Sequence, residues 1–118
     1  MNVVTLIGNL ASDVEVKELD EERRVGNFLL AVDRPGPDSG AEFIPVAVWN
    51  KQADLCARFL AKGSHVAVDG RLRARSWDGE DGKRRRTFEV VARSVQFLPG
   101  SDRRSEQSGV PLEGGVAA

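Results

Sequence analysis

Hydrophobic and polar positions along this chain fall into short blocks separated by turn-forming residues, a pattern that predicts strands more often than helices. Residues 3–10 are rich in β-branched side chains and read as a strand, with Gly8 marking a bulge or sharp bend. The extended pattern resumes at 14–17, so the first strand is expected to be long and bent. A charged hairpin turn at 19–24 leads into a second strand at 25–32. Two prolines and two glycines in 33–40 stop it and predict a surface loop. A third strand runs from Glu42 to Trp49. Helical periodicity follows over 51–62, with Leu55, Cys56, Phe59 and Leu60 on one face and Gly63 as the expected C-terminal cap. Strands at 65–77 and 84–98 come next, separated by the Asp/Gly-rich turn 78–82. Beyond Pro99 apolar residues thin out, and 99–118 reads as a disordered tail after a single domain at 1–98. Five strands with one helix between the third and fourth predict an all-β protein, the five-stranded OB-fold barrel.

Charge changes the picture more than composition does. The formal net charge is −1, which by itself argues against a polyanionic partner. Yet residues 1–50 are acidic on balance and 51–98 basic, so a local positive field is hidden in the total. No apolar run approaches the roughly 20 residues that span a bilayer, and no secretory signal precedes the first strand, so a cytoplasmic protein without a membrane contact is expected. One cysteine and one histidine leave no disulfide, no metal site and no catalytic triad to assemble, so neither an enzyme nor a cofactor is expected.

Candidate chemistry comes from parity, because side chains alternate between the two faces of a strand. In the fourth strand Val66, Val68 and Leu72 share the core parity, leaving Asp69, Arg71, Arg73, Arg75 and Trp77 on the other face. In the third, Ile44, Val46 and Val48 face the core, so Phe43 and Trp49 face outward with Pro45 and Ala47. Lys83, Arg84, Arg85 and Arg86, entering the fifth strand, would widen a positive track beside them. Arginines neutralise phosphates, and flat rings stack on unpaired bases whatever their identity, so this face suits a single-stranded nucleic acid. Other fates are open to the same residues. Alternate arginines can pair with carboxylates on a neighbouring strand, and a large aromatic can lie under a loop or in a subunit contact.

The stretch 6–10 with Asp13 and 15–17, the block 25–28 with Ala31, the segment 59–64 and the block 68–77 together resemble the bacterial single-stranded DNA-binding proteins. The resemblance covers residues 1–98. It implies that Phe43, Trp49 and Trp77 stack bases and that Arg71, Arg73 and Arg75 line the DNA path. It also implies a homotetramer or another homo-oligomer acting in replication, recombination and repair. Three departures from the family pattern stand out. Residues 35–40 carry no aromatic, residues 2–4 carry no basic residue, and residues 112–118 lack the acidic tip through which relatives recruit other proteins. Tail-mediated recruitment is therefore not expected, and a protein-interaction module with weakened DNA binding, or an RNA-binding module of the same fold, are the competing expectations.

Overall fold

The computed structural model describes residues 1–36 and 40–99. Its strands are β1 (Val4–Leu10), β2 (Glu15–Glu18), β3 (Arg24–Asp33), β4 (Ala41–Trp49), β5 (His65–Asp78) and β6 (Arg84–Leu98), with the helix α1 (Asn50–Phe59) between β4 and β5. The ring closes as β1–β5–β6–β4–β3 and back to β1, every pairing antiparallel except β4 with β6. This is the expected five-stranded OB barrel. The long first strand is broken in two, because the chain kinks after Leu10 and β2 then pairs with β3 alone. Counting β1 and β2 together places the helix between the third and fourth strands.

The bend at Gly8 has a steric cause. Strand β1 pairs with β5 from Val4 to Asn9 and with β3 at Asn9 and Leu10, so its end must be pressed between two neighbours. A side chain at Gly8 would put its Cβ 2.2 Å from the Ala31 carbonyl oxygen, and only glycine permits that approach. The core inside the ring is aliphatic: Leu10, Leu30, Val46, Val48, Val66, Val68 and Val90 pack with Phe28, and Ala53, Cys56 and Leu60 close one end of the barrel. Each buried Leu, Val or Phe side chain contributes roughly 1.5–3 kcal/mol by leaving water.

Four sequence expectations change here. The helix ends at Phe59, not Lys62, because Leu60 turns to an extended conformation and drops into the core. Gly63 is therefore not its cap; it takes a φ of 98° in the turn that follows, where its N–H donates to the Leu10 carbonyl. The helix buries Ala53 and Cys56, whereas Leu55 and Phe59 face out. Finally, Leu72 is not a core residue. It is 44 % exposed, because beyond Gly70 strand β5 leaves the barrel.

That departure creates the feature on which the site depends. Asp69 pairs with Ser94 but Gly70 with Ala92, so Arg93 is an extra residue on β6, a bulge that increases local twist. Gly70 allows the crossing: a Cβ there would lie 2.1 Å from the Val91 carbonyl oxygen. Gln52 of the helix donates through Nε2 to the Arg93 carbonyl at 2.5 Å and so ties the bulge to the barrel. From Arg71 to Asp78, β5 has only β6 as a neighbouring strand, and the pair projects as a two-stranded arm. At its root Asn2 stands in for one more residue of β1, its Nδ2 donating to the Leu72 carbonyl and its Oδ1 accepting from the Leu72 N–H, both at 2.8 Å. The arm ends in a turn in which Gly82 takes a φ of 81°. The expected loop at 35–40 and tail at 99–118 lie partly outside the described residues.

Candidate nucleic-acid interface

Register aligns the outward positions of β2, β3 and β4 in rows. Trp49 lies opposite Val25, Ala47 opposite Asn27, Pro45 opposite Leu29 and Phe43 opposite Ala31, although Ala47, expected to face outward, is buried. Strand β2 adds Lys17 beside Val25 and Glu15 beside Asn27. The arm folds over one end of this surface and forms a cleft of about 390 Å³ whose walls include Lys17, Asn27, Trp49, Arg73, Arg75 and Glu89. Asn27 is shared with a second hollow of about 460 Å³ reaching Ser12, Glu15, Leu29 and Pro45. The two hollows meet at Asn27 on the surface of the sheet. Phe43 stands near the other end of β4 and is 60 % exposed.

Trp49 is held at the cleft by an abrupt junction. The next residue, Asn50, begins the helix with a φ of 52°, so strand passes to helix without a loop. Asparagine tolerates this left-handed conformation better than most residues. Its Oδ1 accepts from the Arg24 N–H at 2.9 Å, while the Arg24 guanidinium grips both carboxylate oxygens of Asp54 at 3.0 and 2.6 Å. The Asp54 carboxylate, by hydrogen bond and by charge, holds Arg24 more firmly protonated.

The arginine row is less free than parity alone suggests. Arg73 donates from Nε and Nη2 to the Glu89 carboxylate, the first bond at 2.9 Å, and Arg75 Nη1 lies 3.7 Å from the other oxygen. Glu89 is buried. Two guanidinium groups and one carboxylate leave a single net positive charge, and the carboxylate fixes where the two arginines point. Arg71 is exposed and makes no ion pair among the described residues. Trp77, 49 % exposed, lies opposite Arg85 near the tip, and Arg85 is paired with Asp81 at 2.8 Å.

The run 83–86 is divided between the two faces of the arm. Alternation keeps Arg85 on the face of Trp77, whereas Arg84 and Arg86 lie opposite Asp78 and Ser76 on the reverse of the arm. Lys83 sits in the turn, where its N–H donates to Asp81. The structure thus brings together Trp49, Arg73 and Arg75, extends them along the arm through Arg71, Trp77 and Arg85, and separates Arg84 and Arg86 from them. Sequence reasoning missed Asn27, Lys17 and Glu89. Glu89 shares the parity of Arg85 in the last strand, so applying alternation to both arms of the hairpin would have found it.

Other chemistry is not assembled here. Burial pushes the Cys56 thiol up to about 11, which keeps it protonated and inert at neutral pH. Among the described residues no cluster of His, Cys, Asp and Glu could hold a metal ion, and no helix is long and apolar enough to cross a membrane.

Comparison with known proteins bears on the whole barrel and arm. The single-strand binding protein family matches residues 1–98. Single-stranded DNA-binding protein 2 of Clostridium acetobutylicum is 43% identical over 120 residues, covering 96% of this chain and 90% of its own. The single-stranded DNA-binding protein of Clostridium tetani is 43% identical over 112 residues, 92% of this chain and 77% of its own. That of Bacillus cereus is 42% identical over 113 residues, 92% of this chain and 66% of its own. With a family match that spans the barrel and the arm, and relatives that align over nearly all of it, this chain belongs to the single-strand binding protein family.

Proposed function

We propose that the chain binds single-stranded DNA without sequence preference, covering strands exposed during replication, recombination and repair. One observation carries this reading: Trp49, Arg73 and Arg75 converge on a single cleft that opens onto the arm face of Arg71 and Trp77. Rings stack on unpaired bases at about 1–3 kcal/mol each, and the guanidinium groups meet the phosphates. A duplex, whose bases already stack on one another, gains little from such a surface. The names of the relatives support the same ligand.

The finer reading is a homotetramer in the cytoplasm. Self-association is supported by β1, which from Val4 to Gly8 has β5 on one side and no strand on the other among the described residues. Val3 and Ile7 stand exposed beside that open edge, which a second copy could pair and cover. No catalytic step belongs to this reading.

The chain has two tryptophans, Trp49 and Trp77, and both are in the proposed site. Adding oligo(dT) is therefore expected to quench most of the intrinsic tryptophan emission, with affinity falling as salt rises. Unchanged emission and no retention of the oligonucleotide at low salt would sink the proposal. The charge spent on Glu89 favours a second reading, a protein-interaction module with weakened DNA binding. Tight binding of oligo(dT) by the purified chain would exclude it, and competition with matched RNA would show which nucleic acid is preferred.

A further inference from the structure

The reverse face of the arm carries features that the barrel does not need. Beyond Leu72 no third strand pairs with the arm among the described residues, yet this face bears Leu72, Ala74 and Phe88 in a contiguous apolar strip, Ala74 directly opposite Phe88 and Leu72 opposite the buried Val90. Leu72 is 44 % and Phe88 49 % exposed. The Arg86 guanidinium carbon lies 5.5 Å from the centre of the Phe88 ring, within the range of a cation–π contact. Arg86 has no ion pair among the described residues, and Arg84 has only a loose one with Asp78, 3.9 Å apart and highly exposed on both sides.

An aromatic ring beside guanidinium groups is the combination found on the front of the same arm, where Trp77 lies with Arg85 and in line with Arg75, although there Arg85 is paired with Asp81 and Arg75 lies by Glu89. The two rings are also close along the arm. Trp77 pairs at the level of Arg85 and Phe88 at the level of Ala74, three residues apart, or about 10 Å at the usual rise. At the tip Lys83, Arg84 and Arg85 are balanced by Asp78, Glu80 and Asp81, with Arg84 loosely paired to Asp78 and Arg85 paired to Asp81.

We infer that the reverse face is a second stacking surface for the same single strand of DNA, which rounds the tip of the arm and places a base on Phe88 with Arg86 on a neighbouring phosphate. The inference rests on the proposed single-strand binding and extends it to a site that the first face does not include. Charge selects this occupant. On this face Arg86 has no ion pair among the described residues and Arg84 has only a loose one with Asp78, and a phosphodiester backbone neutralises such groups.

The test uses the full chain with oligo(dT) of graded length and compares the wild type with Phe88→Ser, Arg86→Gln and Trp77→Ala. Trp77→Ala is expected to weaken binding at every length. Phe88→Ser is expected to leave short oligonucleotides unaffected, to weaken long ones roughly tenfold and to shrink the occluded site. Arg86→Gln should lower the salt dependence on long strands by about 0.7 in log–log slope. Photocrosslinking with 5-iodouracil-containing oligonucleotides should label the peptide holding Phe88.

Phe88→Ser identical to wild type at all lengths, with Trp77→Ala impaired, overturns the second surface and leaves the first intact. If the wild type binds no oligonucleotide, both readings fall together. A loss of mass in solution caused by Phe88→Ser, without any change in DNA binding, shows the face to be a contact between copies and also overturns the inference.

Discussion

The two halves of β5 differ in everything but their backbone. From His65 to Gly70 the strand has a neighbour on either side, and Val66 and Val68 are fully shielded from water. From Arg71 to Asp78 it has one neighbouring strand, and no side chain is buried. The first half contributes stability through the inward Val66 and Val68, where a polar side chain would be buried without a partner. The second contributes little to stability and is therefore free to carry charge and rings. One strand can serve a core and a binding surface because Gly70 and the bulge at Arg93 let it change surroundings in a single residue.

This contrast can be broken by experiment. Val66→Ala is expected to cost about 2–3 kcal/mol of unfolding free energy, two methyl groups plus a residual void, whereas Leu72→Ala, six residues on, should stay within about 0.5 kcal/mol. Equal losses in a urea titration would show that the arm is part of the core. Trp77→Ala should reverse the assignment, weakening oligo(dT) binding by about 1–3 kcal/mol while the melting temperature holds. A drop in melting temperature of several degrees would mean that Trp77 is structural.

Glu89→Gln lies on the boundary between the halves. Removing the carboxylate releases charge on Arg73 and Arg75, so the salt dependence of binding should steepen by about 0.7 in log–log slope, at a stability cost of about 1 kcal/mol. A shallower slope would show that Glu89 acts chiefly by aiming the two arginines. The smallest effect is expected at the exposed 20–23 turn. The Glu22 N–H and the Arg23 side chain hold the Asp20 carboxyl below its ordinary value of 3.8. A depressed folded-state value stabilises the turn above that ordinary range and is lost as pH falls through the lower, folded value. Asp20→Asn should remove that part of the acid sensitivity in a pH-dependent melt, and an unchanged profile would exclude this role.

How much of this was legible in the sequence depends on what kind of information each feature needs. The bounds of β6 could be read because a glycine-rich turn and Pro99 bracket it. Outward Phe43 and Trp49 could be read because alternation is local. The helix end could not, since Leu60 fits helical periodicity equally well and only the shape of the core draws it out of the helix. Leu72 failed for a related reason: parity says which face a residue takes but not where the barrel stops covering that face. The pairing of Arg73 with Glu89 needs a register between residues sixteen apart, which no single strand contains.

Asn2 gives the arm a clamp, and the clamp has a mechanical meaning. Its side-chain amide occupies the last place where a third chain steadies the ribbon. Past that point the two strands form a cantilever, and isolated ribbons twist more readily than wide sheets. The tip can then follow the uneven pitch of an unpaired polynucleotide, while the clamped root keeps the cleft in shape. Replacing Asn2 by alanine would move the fulcrum back toward Val4 and lengthen the part that bends.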